Sequence, residues 1–170
     1  MDHGADPGTI LQLMEALEAS WLGTQARTST WLYPLVSVLH VLGVAFLVGS
    51  IALFDLRVLG AARRLPLQAC AAYILPIAQA AFGIQLVTGL VMFAADADHV
   101  YANPYFLVKL GLIALALVNI LVFHGLVRAQ PYVYDLDAVD ALPAWTRASA
   151  AVSLVAWIGV ATFGRMIAYI

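Results

Sequence analysis

The chain has 170 residues, 64% of them hydrophobic and only 11% charged, with a formal net charge of −2. Soluble domains are usually about half apolar and a quarter charged, so this composition excludes an ordinary soluble domain. With no basic stripe it also excludes a nucleic-acid partner. Cys70 is the single cysteine, which excludes an intramolecular disulfide and a thiolate metal cluster.

Residues 1–8 are acidic and lack a positive n-region, so the membrane segments themselves are expected to direct insertion. An amphipathic interfacial helix is predicted over 9–23. Thr9 and Gln12 have capping-box spacing, Ile10, Leu13, Met14, Leu17 and Trp21 share one face, and Gly23 is the expected stop. Its polar face is acidic, so packing across the bundle mouth or against a partner is expected rather than attraction to anionic lipid.

Four stretches reach the ~20 apolar residues that a span needs, at about 30–53, 67–95, 105–127 and 145–169. The fold class is therefore an all-α four-transmembrane-helix bundle, one membrane domain over 1–170, preceded by the interfacial helix. The 128–144 connection carries Pro131, Pro143 and three aspartates and reads as a solvated polar turn, with an acidic metal patch at Asp135 and Asp140 as the lesser reading.

Orientation follows from lysine and arginine. Arg57, Arg63 and Arg64 follow the first span, and Arg128 and Arg147 follow the third; the opposite side holds Glu15, Glu18, Asp96 and Asp98. Both termini are expected outside, which in a bacterium is the periplasmic face of the inner membrane.

Ionisable groups within spans are costly and mark functional sites. They are His40, Lys109, His124 and Arg165, with Asp55 and Arg57 at the inner end of the first span. At ~1.5 Å per residue His40 is expected ~15 Å deep, Lys109 and Arg165 ~6 Å below the outer boundary, and His124 ~28 Å down. A haem b suits the outer group. His40 would be the axial ligand, and Lys109 and Arg165 would receive propionates. Gln85 lies at comparable depth, and Gly43 leaves room for a flat macrocycle. His124 is a second candidate metal ligand. Axial ligands of one haem lie at similar depth, so the ~13 Å offset disfavours one haem between His40 and His124. Asp55, Arg57 and His124 form a separate inner polar site, for protons or a quinone. The bland readings stand beside these: an interhelical hydrogen bond from His40, for instance to Gln85, snorkelling of Lys109 and Arg165, and a pairing of His124 with Asp55.

The run Leu39-His40-Val41-Leu42-Gly43, followed by Gly49, Leu53, Phe54 and Arg57, resembles the first helix of the four-helix HemJ and CopD-like membrane proteins. Pro76 followed by Thr88-Gly89-Leu90, and Leu107-Val108-Lys109-Leu110 followed by His124, resemble their second and third helices. An uncharacterised bacterial membrane family is still more similar, through Phe54-Asp55-Leu56-Arg57 and Ala102-Asn103-Pro104. The HemJ resemblance implies haem or porphyrin handling by His40 and Lys109. The leading expectation is thus a haem b electron-transfer protein, a complex subunit or homo-oligomer in the lipid bilayer, with a quinone as possible second ligand. Protoporphyrinogen oxidation, and a non-enzymatic anchor or copper-handling component, are the alternatives.

Overall fold

The structure is a computed structural model that describes residues 7–129 and 142–169. His3 and the aspartates at 135–140 lie outside the described residues. The described residues are helical without strands, in the order α1 (Pro7–Ala19), α2 (Trp21–Thr28), α3 (Leu32–Leu59), α4 (Leu67–Ala95), α5 (Ala97–Val100), α6 (Pro104–Ala129), α7 (Ala144–Met166) and a 3-10 turn (Ile167–Tyr169). Helices α3, α4, α6 and α7 are each long and apolar enough to cross a membrane, the architecture of a multi-pass membrane protein. Their outward surfaces are apolar: Val41, Phe46, Val87, Leu121 and Val155 are all exposed. In water that would be untenable, whereas lipid is the solvent it matches.

Helix ends follow local chemistry. α3 runs past 53 because no breaker intervenes before Gly60, whose φ of 115° only glycine adopts cheaply. There Gly60 N–H donates to Arg57 and Ala61 N–H to Leu56, closing the last turn. Asp55 and Arg57 consequently lie on α3 itself, at its inner end, with Arg57 in the last turn. α6 begins where Asn103 Oδ1 accepts from Tyr105 N–H at 2.9 Å, with Pro104 in the first-turn position that needs no donor.

The N-terminal segment departs from the expected single helix over 9–23. It breaks at Ser20, which caps a second helix by accepting from Gly23 N–H at 3.2 Å. Gly23 is therefore not a stop. It is buried in α2, and a Cβ there would meet carbonyl oxygens of Glu18 at 2.5 Å and Ala94 at 2.6 Å. Backbone-to-backbone contact with α4 is what requires glycine. The α1–α2 hairpin is tied by Arg27, which pairs with Glu18 Oε2 at 2.7 Å and donates to the Glu18 carbonyl at 2.8 Å. Glu18 Oε1 accepts from Asp98 N–H at 2.9 Å, which binds the hairpin to α5.

Around the bundle, α4 packs on α3, α3 on α7 and α7 on α6. Among the described residues no comparable pairing joins α4 to α6. That seam is bridged near the N-terminal end by stacked Phe93 and Phe106, 5.2 Å between centroids. Apolar packing divides into a layer at the loop end, with Phe54, Val58, Leu67 and Leu142, and a central layer with Leu47, Ala81, Ala116 and Trp157. Asn119 and Ser149 exchange hydrogen bonds between α6 and α7: the amide donates to the Ser149 carbonyl at 3.0 Å and the hydroxyl to Asn119 Oδ1 at 2.9 Å. Polar pairs of this kind join helices where lipid offers no competing partner.

Candidate functional site

Among the described residues one cavity opens at the N-terminal end of the bundle and another lies toward the loop end. The cavity at the N-terminal end is about 730 Å³ and is lined by His40, Gly89, Met92, Phe93, Lys109 and Gly164 among others. His40 sits on α3 with its ring against α4: Nδ1 lies 2.8 Å from Thr88 Oγ1. Thr88 has one proton, and Ile84 C=O accepts it at 2.6 Å. The hydroxyl oxygen is thus the acceptor for His40, so Nδ1 carries the imidazole proton and Nε2 keeps its lone pair. Gly89 faces the ring, and a Cβ there would stand in van der Waals contact with His40 Cε1 at 3.4 Å. Gln85, on the same face, donates from Nε2 to the His40 carbonyl at 2.5 Å, beside Gly43. Gln85 and Gly43 therefore position the histidine backbone instead of lining the cavity.

Lys109 enters the cavity from α6 and lies over Gly164, where a Cβ would meet its chain at 3.6 Å. Among the described residues no hydrogen bond or ion pair engages its ammonium group. Arg165 is turned elsewhere. It is exposed, donates to the Tyr169 hydroxyl at 2.9 Å, and lies 5.1 Å from that ring's centroid.

At the mouth of this cavity His99 lies 2.7 Å from Asp98 and 3.1 Å from Asp96. The hydrogen bond to Asp98, followed by the charges of Asp98 and Asp96, pushes the His99 pKa above its usual value. Asp98 is correspondingly held below the usual carboxylate range, first by its contact with Glu18 and then by His99.

The cavity at the loop end is about 230 Å³, and Asp55, His124, Ser153 and Trp157 line it. His124 Nδ1–H donates to the Ile120 carbonyl at 2.9 Å. Asp55 is 5% exposed and Trp157 2%. Asp55 Oδ2 and Trp157 Nε1 have no hydrogen-bond partner among the described residues. Arg57 does not line this cavity; it is buried on the loop side, with Nε donating to the Leu65 carbonyl at 2.7 Å. His40 and His124 thus belong to different cavities, at opposite ends of the bundle.

Sequence reasoning singled out His40 and Lys109, which share one cavity, and Asp55 and His124, which share the other. It gave no site role to Thr88, Met92, Ser153 or Trp157. A signal for two of these was present: Gln85, Thr88, Gly89 and Met92 recur at i, i+3, i+4 and i+7, a face distinct from the surrounding apolar residues.

Comparison with curated proteins finds no match, and comparison with solved structures finds none. The family of unknown function DUF6644 matches residues 13–170, all four long helices included, and the chain belongs to that family.

Proposed function

We propose that this protein binds a haem b in the N-terminal-end cavity and moves electrons within a bacterial cytoplasmic membrane, as a complex subunit or homo-oligomer. The observation that carries this reading is the hydrogen bond between His40 Nδ1 and Thr88, which leaves Nε2 as the other ring nitrogen. Thr88 holds Nδ1–H and leaves Nε2 as the lone pair on a residue that lines a cavity shared with Lys109. Metal-ligating histidines are oriented by a hydrogen bond of this kind from the other ring nitrogen.

The residues present fit such a group. A volume of about 730 Å³ lies within the ~300–1,000 Å³ typical of cofactor pockets. Phe93 and Phe106 supply apolar wall, Gly89 and Gly164 leave flat space, and Lys109 offers a cation to a propionate. Met92, whose thioether lines the same cavity, would be available as a further iron ligand. Arg165, paired with Tyr169, drops out of the propionate role. A haem bound here would supply one-electron chemistry, while the chain sets ligation and dielectric.

The resemblance to HemJ and CopD-like proteins supports a porphyrin at the same place, and Lys109 would serve a porphyrin substrate as well as a cofactor. Two measurements test the reading. A dithionite-reduced minus oxidised spectrum of protein purified from haem-replete cells should show a b-type α-band that His40→Ala removes. An absent band, or one that survives that substitution, sinks the haem assignment. Complementation of a strain lacking protoporphyrinogen oxidation would instead favour the enzymatic reading.

A further inference from the structure

The cavity at the loop end has a distinct chemistry. Its wall is mostly apolar, and two of the residues that line it carry a buried polar atom without a partner among the described residues: the acceptor Asp55 Oδ2 and the donor Trp157 Nε1–H. A buried donor or acceptor left unpaired is costly, so one of each on residues that line one cavity calls for a ligand bearing both a donor and an acceptor. Size narrows the choice. A dry cavity of ~150 Å³ accommodates a benzene, so about 230 Å³ holds one substituted six-membered ring.

Access is lateral. Of the residues lining this cavity, only Gln79 on α4 and Leu117 on α6 are exposed. They stand on either side of the seam where α4 and α6 are not packed together. Gln79 is a polar side chain on the outer surface near the middle of a span, and it makes no hydrogen bond among the described residues. Such a residue is costly against lipid, and at a portal it meets arriving polar groups.

We propose that the loop-end cavity binds the head ring of a membrane-dissolved hydroquinone, which enters between α4 and α6. One ring hydroxyl donates to Asp55, and an oxygen of the ring accepts from Trp157 Nε1–H. The inference does not rest on haem at His40. His40 and Asp55 lie ~22 Å apart along α3 at ~1.5 Å per residue.

The test is calorimetric titration of the full chain in lipid nanodiscs with tetramethylhydroquinone, and in parallel with its dimethyl ether, which lacks the O–H donor. Trp157→Phe keeps the ring and removes the N–H. Asp55→Leu removes the acceptor, and Ala78→Phe fills the cavity from α4 with both polar groups intact. Gel filtration identifies the variants that fold. Wild type should bind the hydroquinone saturably and the ether at least tenfold more weakly. Trp157→Phe should lose about tenfold in affinity, the worth of one hydrogen bond, and Ala78→Phe should not bind. Binding is read by calorimetry without reference to haem, so failure of the haem reading leaves this result standing. No saturable binding to wild type, equal binding of the ether, or unchanged affinity in folded Trp157→Phe and Ala78→Phe overturns the proposal.

Discussion

Thr88 accepts from His40 Nδ1–H at 2.8 Å while its own proton goes to Ile84 C=O at 2.6 Å. One hydroxyl on α4 thereby sets the tautomer of a ring on α3. This relay is the closest link between backbone geometry and site chemistry in the protein, because a helix carbonyl decides which histidine nitrogen keeps a lone pair.

Thr88→Val should therefore lower haem occupancy about tenfold or more, the usual effect of removing an outer-shell partner of a ligating histidine. Thr88→Ser should retain it. Haem-to-protein ratio after purification reads this directly. Unchanged occupancy in Thr88→Val would mean that the hydroxyl does not orient the ligand.

Two glycines separate close packing from slack. At Gly23 a Cβ meets backbone oxygens of Glu18, Ala94 and Leu17, all at 2.8 Å or less, which cannot rotate away. At Gly159 the tightest neighbour is a Leu112 methyl at 2.8 Å, the end of a flexible side chain. Gly23→Ala should cost ~1–3 kcal/mol as overpacking and expose α1 and α2 to protease. Gly159→Ala should cost clearly less. Thermal unfolding in detergent, with limited proteolysis of the N-terminal hairpin, checks the order.

The reciprocal Asn119–Ser149 pair should couple α6 to α7. A double-mutant cycle with Asn119→Ala and Ser149→Ala should return about 0.6 kcal/mol, the average for such bonds in membranes. A coupling near zero would mean that the Ser149 hydroxyl bond adds nothing, the bond from the Asn119 amide to the Ser149 carbonyl being kept in Ser149→Ala.

His99 should titrate above the ordinary histidine value of ~6.5, and Asp98→Asn should bring it back down, since Asp98 supplies the leading cause of the shift. Folding raises this pKa. Its stabilisation is therefore complete below the unfolded value and lost as pH rises through the folded one. Asp98 runs the other way: its depressed pKa stabilises above the usual carboxylate value, and that contribution is lost as pH falls. Both groups are solvent-exposed, so salt should weaken the effect. Imidazole proton NMR across the pH range gives both curves.

Composition and hydrophobic run length determined the four spans, because a bilayer imposes the length that an apolar helix must have. The same scarcity of charge picked out His40, Lys109, Asp55 and His124, since an ionisable group among apolar residues stands out without any knowledge of its neighbours. Tertiary structure decided their grouping. Helix rotation and side-chain direction put Lys109 into a cavity with His40 and sent Arg165 to Tyr169, although the two cations have the same expected depth. Gly23 read as a stop because a glycine near a helix end is locally indistinguishable from one at a backbone crossing; only the nearness of Ala94 on α4 tells them apart. The Thr88 hydrogen bond and the orphaned pair of Asp55 and Trp157 were likewise beyond sequence reading. Each joins positions far apart in the chain, and their juxtaposition depends on helix rotation, which lipid-facing apolar surfaces leave to the packing of neighbouring helices.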